Sequence, residues 1–197
     1  MLDESELVER ATSGDMDALG ALFDRYTPDV YRVARSMGYA AVEAEDLMQD
    51  TFLAAFEGVL GFKKRSTFKT WLLAILFRQS NHRRRYLRIR KTESLDDAST
   101  TPHDGRPVEA ARNERRLDVH AMLDTLSPDH RSVLVLRELE GFSYEDIAST
   151  LKIPRGTVES RLFRARAILR ERFQEYGGHD GATLPENVEK RMELRHE

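Results

Sequence analysis

Five side chains in the last third of the chain have the types and spacing to read the edge of a DNA duplex: Arg155, Glu159, Ser160, Phe163 and Arg164. On a helix, positions 155, 159 and 163 stand one turn apart, and 160 and 164 run beside them. Arg reads guanine, Glu accepts from cytosine, and Phe touches a thymine methyl. For such a set to act, the opposite side of its helix must be held by a core. Val158, Leu162, Ala165 and Leu169 recur at helical spacing and predict that inner face. The same pattern also fits the solvated, charged face of an ordinary helical hairpin.

The elements that must carry this set are marked in the sequence. Gly141 suits the end of one helix, and Ser143 suits the cap of the next, with Asp146 three residues on. Ile147, Ala148 and Leu151 predict the inner face of that short helix. Lys152 to Pro154 predict a turn, with Pro154 at the first position of the second helix. Residues 142–173 therefore read as a helix-turn-helix that ends in a basic helix, one way to put side chains into a major groove.

A second group lies upstream. On a helix near 41–60, Asp46, Gln49, Asp50, Leu53 and Glu57 fall on one face, with Leu47, Met48, Phe52, Ala55, Phe56 and Val59 on the other. A polar stripe is commonly plain solvated surface. Leu53, however, is an apolar residue rimmed by carboxylates, which suits docking to a basic helical partner. The loop Gly61 to Thr67, GFKKRST, leads into a helix whose core residues are Leu72, Ile75 and Leu76. Trp71, Ala74, Arg78, Asn81, His82 and Arg85 share a different face. Aromatic and cationic groups together suit single-stranded DNA, rings for unstacked bases and cations for phosphates. The loop is placed to wall a pocket for an extruded base. A Trp on a helix is also a common core residue. A basic helix fits plain phosphate binding or a membrane surface too, although no wide apolar face is left free for lipid.

The rest of the chain narrows the class. Its 197 residues allow one large or two small domains, and 33% charged residues mark a helix-rich soluble protein. There is no Cys, hence no disulfide, thiolate metal site or Cys nucleophile. The six His show no metal-ligand spacing, and no Gly-rich phosphate loop or nucleophile elbow occurs. No metal, no cofactor and no catalytic residue is therefore expected. The acidic start MLDESELVER is not a signal peptide, and the longest apolar run, Trp71 to Phe77, is too short to cross a bilayer. A cytoplasmic protein without membrane insertion is expected. The net charge of −3 hides an asymmetry: residues 1–57 carry −9, residues 58–92 carry +11 with no acid among them, and residues 93–197 carry −5. An acidic protein can bind nucleic acid when its positive charge is gathered in one place, although the first two blocks also complement each other.

Helical periodicity dominates and no strand pattern or repeat is present. Helices are predicted near 4–12, 15–37, 41–60, 67–90, 109–125 and 128–140, followed by the two of the helix-turn-helix; Leu184, Val188 and Met192 suggest a weak terminal helix. Ser127 suits an N-cap with Pro128 just inside. The stretch TESLDDASTTPHDGRPV is rich in Ser, Thr, Asp and Pro, and reads as a linker. The expected fold is all-α: two small helical domains, 1–91 and 109–176, joined by a flexible linker, 92–108, with a C-terminal extension, 177–197.

The stretch EDLMQDTFLAAF, then GF, a basic loop, F-x-T-W-L and an Arg cluster, resembles region 2 of bacterial sigma factors, and residues 126–173 resemble their region 4. The two motifs in this order, with a short linker between them, resemble the extracytoplasmic-function group of the sigma-70 family. The resemblance implies a promoter-specificity subunit of RNA polymerase, not an enzyme. It implies core-polymerase contacts at Asp46, Gln49, Asp50 and Leu53, with Phe52 in the core. It implies −10 DNA contacts at Phe62, Lys63, Lys64, Arg65, Ser66, Trp71, Arg78, Asn81, His82, Arg84 and Arg85. It implies −35 DNA contacts at Arg155, Thr157, Glu159, Ser160, Arg161, Phe163 and Arg164. An anti-sigma factor is an implied partner beside core polymerase and promoter DNA. Two departures bear on promoter sequence: Leu76-Phe77-Arg78 stands where the family often has Ala-Arg-Asn, and Glu159 stands where a basic residue is common. A stand-alone helix-turn-helix regulator would explain residues 142–173 but not Asp46 to Arg85. A protein-binding adaptor is compatible with the sigma reading.

Overall fold

A computed structural model of the chain describes residues 3–93 and 119–177. The helices are α1 (Glu4–Thr12), α2 (Met16–Ser36), α3 (Ala41–Gly58), α4 (Phe68–Glu93), α5 (Val119–Asp124), α6 (Pro128–Leu134), α7 (Tyr144–Leu151) and α8 (Arg155–Gly177). No strand occurs among the described residues. The chain forms two compact units, the first built on α1 to α4, the second on α5, α6, most of α7 and α8. The expected linker 92–108, the helix start at 109–118 and the terminal helix around 184–192 lie outside the described residues, apart from Thr92 and Glu93, which extend α4 past its expected end.

In the first unit, the α1–α2 corner turns at Gly14, whose φ of +97° suits a residue without Cβ. Asp15 caps α2 by accepting from the N–H groups of Asp17 and Ala18 at 3.0 and 3.1 Å. The Ala18 N–H, with Arg10 beside it, holds the Asp15 carboxyl below its usual range. Glu43 reaches back to the Ala40 N–H at 3.1 Å and steadies the start of α3. The core is made of Leu19, Leu22, Val30 and Val33 from α2, Ala44, Leu47 and Ala55 from α3, and Leu72, Leu73, Leu76 and Phe77 from α4. Thr51 is also fully buried, and its hydroxyl donates to the Leu47 carbonyl at 2.7 Å. Helix α3 ends at Gly58 and tightens into a 3₁₀ turn, Val59–Gly61, before the loop.

In the second unit, Ser127 caps α6, accepting from the His130 N–H at 3.4 Å, with Pro128 at the first helical position. The expected α-helix to residue 140 instead widens over Val135–Leu139, where the Glu140 N–H reaches the Val135 carbonyl at 3.1 Å. Val135 and Leu136 are buried, Arg137 and Glu138 half-buried and Leu139 exposed, so the segment keeps an inner and an outer side, and one widened turn is too local a change for helical periodicity to show. Gly141 then reverses the chain at φ +71°. Ser143 and Asp146 cap α7 reciprocally: the Asp146 N–H donates to Ser143 Oγ at 3.0 Å and the Ser143 hydroxyl to Asp146 Oδ2 at 2.6 Å. Lys152 turns the chain at φ +54°, and the Ile153 N–H closes α7 on the Ala148 carbonyl at 3.1 Å. Pro154 sits just before α8, its carbonyl accepting from Thr157 and Val158, so it stands one position earlier than expected. Val158, Leu162 and Ala165 are buried as expected; Leu169 is only half-buried.

Leu47 is fully buried beside the α3 face that matters below. Leu47→Ala is expected to destabilise the first unit by about 2–5 kcal/mol. Urea unfolding followed by fluorescence of Trp71, the only tryptophan in the chain, checks this within the first unit.

Candidate protein- and nucleic-acid-binding surfaces

Three surfaces emerge from these helices. The first is the outer face of α3. Burial of positions 44, 47, 51 and 55 leaves Gln49, Asp50 and Leu53 facing outward, with Leu53 61% exposed. Asp46 is exposed but engaged, its Oδ2 lying 3.3 Å from Arg83 on α4. Phe52 is half-buried against Phe23, with ring centroids 4.6 Å apart. Phe56 corrects its expected inward placement: it is 52% exposed. It joins Leu53 and Leu60, which stand three and four residues away and are exposed as well; Val42, at the start of α3, is exposed separately. The apolar patch is therefore wider than Leu53 alone. Its signal lies in the 53–56–60 spacing of Leu53, Phe56 and Leu60, while Phe56 also follows Phe52 by one turn and so fits a core pattern.

The second surface is the loop and the basic helix after it. Lys63, Lys64 and Arg65 are exposed, and Lys64 adopts φ +54°. Phe62 is buried, so its ring cannot be a surface contact; it supports the loop from beneath. Its centroid lies 5.0 Å from Trp71 and 5.9 Å from Phe68, and Phe68 and Trp71 are 5.4 Å apart. Trp71 is half-buried, with Gly58 under its ring. It is thus both a core partner and an accessible edge, where the sequence left those as alternatives. The Ser66 hydroxyl donates to the Thr67 carbonyl at 3.3 Å, and Thr67 caps α4 by accepting from the Thr70 N–H at 3.1 Å.

Along α4, Arg78, Asn81, His82 and Arg85 are exposed together. Arg84 instead leans over the Tyr39 ring at 5.9 Å, so part of its role is internal. Tyr39 also hydrogen-bonds the fully buried Ser80 hydroxyl at 2.8 Å, pinning α4 where it leaves the core. Tyr86, 58% exposed beside Arg85, belongs to this surface and was not expected. It follows Arg78 and His82 at four-residue spacing, so the helical pattern does carry its signal.

The third surface is the outer side of α8. Phe163 is 75% exposed, and Glu159, Ser160 and Arg164 are exposed near it. The Ser160 hydroxyl donates to the Thr157 carbonyl at 3.1 Å, and Thr157 itself is half-buried. Arg155 is bound by Glu159 at 2.9 Å and Glu145 at 2.6 Å. Arg161 turns toward α6 and pairs with Asp129 at 2.5 Å, so its guanidinium is engaged within its own unit. Arg166, outside the expected set, pairs with Glu138 at 2.5 Å from the widened turn. Arg137 reaches the Phe142 carbonyl at 2.6 Å and the Tyr144 ring at 5.1 Å, fixing the approach to α7.

Among the described residues, no group of three or more His, Cys, Asp or Glu is arranged to hold a metal ion, and no helix is long and apolar enough to cross a membrane. Residues 22–89 match the family described as Sigma-70 region 2, and residues 116–169 match Sigma-70, region 4. The chain is 33% identical to the RNA polymerase sigma-H factor of Pseudomonas aeruginosa, over 87% of this chain and 94% of that one. It is 31% identical to the ECF RNA polymerase sigma-E factor of Haemophilus influenzae, over 88% of this chain and 96% of that one. A solved relative is the sigma factor RpoE of Bartonella quintana in complex with the anti-sigma factor NepR. It has a TM-score of 0.59 and 32% identity, covering 73% of this chain and 89% of that one. Matches to both regions in their expected order, and relatives aligned over nearly their whole length, establish that the chain belongs to the extracytoplasmic-function group of sigma-70 factors.

Proposed function

We propose that this protein is a non-catalytic subunit that joins core RNA polymerase in the cytoplasm and directs it to promoters. In this reading residues 1–91 form the module for polymerase and the −10 element, residues 109–176 the module for the −35 element, and residues 92–108 the tether. The outer face of α3 docks on polymerase through Gln49, Asp50 and Leu53, with Asp46 at its edge. Carboxylates around an apolar centre favour a basic, helical partner surface. Lys63, Lys64 and Arg65 approach phosphates. Trp71, Arg78, Asn81, His82 and Arg85 face the unpaired −10 strand, where rings stack on bases and cations follow the backbone. Phe62 acts from below, by holding Trp71.

The observation that carries the −35 assignment is the exposure of Phe163 at 75% on a helix whose other side is locked into a core. A large aromatic held in water on a rigid helix, with Arg164 beside it, suits insertion into a major groove. Neither module needs tight DNA binding alone, because joint attachment to polymerase raises the effective concentration of each at the promoter. The solved complex of RpoE with NepR supports an anti-sigma partner for this chain as well.

In vitro transcription with bacterial core polymerase tests the whole reading. Discrete transcripts that depend on added protein are expected; their absence with active core and a confirmed protein–core complex contradicts it. Arg164→Ala is expected to weaken −35 recognition by about 1–3 kcal/mol, measured as holoenzyme affinity for promoter duplex. Asp50→Arg is expected to lower affinity for core by placing a cation against a basic partner, and a fluorescence titration of core checks it.

A further inference from the structure

The head of α8 holds a chain of three charged groups whose geometry says more than that this helix meets DNA. Arg155 Nε lies 2.9 Å from Glu159 Oε1, and Arg155 Nη1 lies 2.6 Å from Glu145 Oε1. The side chains of Arg155, Glu145 and Glu159 are 62%, 64% and 48% exposed. Ion pairs this exposed contribute little to stability. Their effect here is orientation. Glu145, on the other helix of the pair, holds the Arg155 guanidinium from one side, and the guanidinium fork holds Glu159 from the other. One carboxylate oxygen of Glu159 is thereby engaged, and Oε2 is left for a donor from outside. Glu159 stands one turn before the exposed Phe163 and next to Ser160, so a base edge that meets Phe163 passes Glu159.

A carboxylate only accepts hydrogen bonds. In the major groove guanine presents N7 and O6, both acceptors, and thymine presents O4 and a methyl group. Adenine presents a donor at N6 with the acceptor N7 beside it. Cytosine presents the N4 amino group alone. Of the four, cytosine is the base that an oriented carboxylate accepts from without facing a second acceptor, and guanine is the one it repels most.

We infer that Glu159, positioned by Arg155 and Glu145, selects cytosine and rejects guanine at one position of the −35 element. This rests on the promoter-reading assignment of α8. Arg155 is a positioning residue in this scheme, since it acts through Glu159.

The test is transcription by the full-length protein with core polymerase from a promoter library randomised across the −35 element, read by sequencing the transcripts. The wild type is expected to favour cytosine over guanine at one position by roughly tenfold. Glu159→Arg is expected to convert that position to guanine, and Glu159→Gln to adenine, with the other positions unchanged. Arg155→Ala is expected to flatten the preference at that same position, and Arg155→Lys to restore part of it. A Glu159→Arg profile identical to the wild type, or an even loss across all sequences, overturns the inference while leaving the promoter assignment standing. If the wild type yields no transcript from any library member, despite forming a complex with core, the promoter assignment itself falls and takes this inference with it.

Discussion

Burial of Leu72, Leu73, Leu76 and Phe77 in the first turns of α4 sets the conditions for the rest of the first unit. Those residues bind the helix to α2 and α3, and the fully buried Ser80, bonded to Tyr39, marks where the helix leaves the core. Beyond that point α4 presents cations to solvent on a rod already fixed at its root. A basic segment of the same composition without this anchor would follow its own repulsion and lose the fixed spacing that base capture needs. The loop before α4 depends on the same anchor, because Phe62, Phe68 and Trp71 pack on one another at the helix start.

The second unit solves the same problem with shorter elements. Its recognition helix α8 buries Val158, Leu162 and Ala165, and each neighbouring element adds one polar tie: Asp129 of α6 to Arg161, Glu138 of the widened turn to Arg166, Glu145 of α7 to Arg155. Arginines in this helix thus divide into those paired within their own unit and those left facing solvent. Arg161 and Arg166 are drawn toward their own unit, while Arg164 is exposed. Arg155 stands between, exposed yet held by two carboxylates.

Much of this was legible from residue order. Both helices of the helix-turn-helix, the Ser143–Asp146 cap, the Ser127 cap and the turn at Gly141 follow from local chemistry that acts over three or four residues. The failures share a cause. Phe62 and Phe56 exchange their expected places because a phenylalanine pattern states which residues want burial, not which of them find room. The widened turn at Val135–Leu139 leaves no mark in the periodicity because it is a single local turn inside an otherwise helical pattern. The internal partners of Arg84 and Arg161 do not show in local spacing, because they stand 45 residues away at Tyr39, between α2 and α3, and 32 residues away at Asp129 on α6.

The sequence by itself determined the class of structure and the chemistry on offer: helices with capped ends, a stretch at 58–92 with basic but no acidic residues, a helix in the helix-turn-helix with a mixed outer face, and a resemblance to two sigma regions in order. Those properties are local, so they survive in the one-dimensional record. Tertiary structure decided which of those groups face outward. Trp71 became half-buried against Gly58 and Phe62, the apolar patch around Leu53 grew to include Phe56 and Leu60, and Glu159 came under the hold of Arg155 and Glu145. Packing is a competition among all side chains for a limited interior, and ion pairing joins groups across helices. Neither outcome is set by any one segment, so both appear only when the helices are assembled.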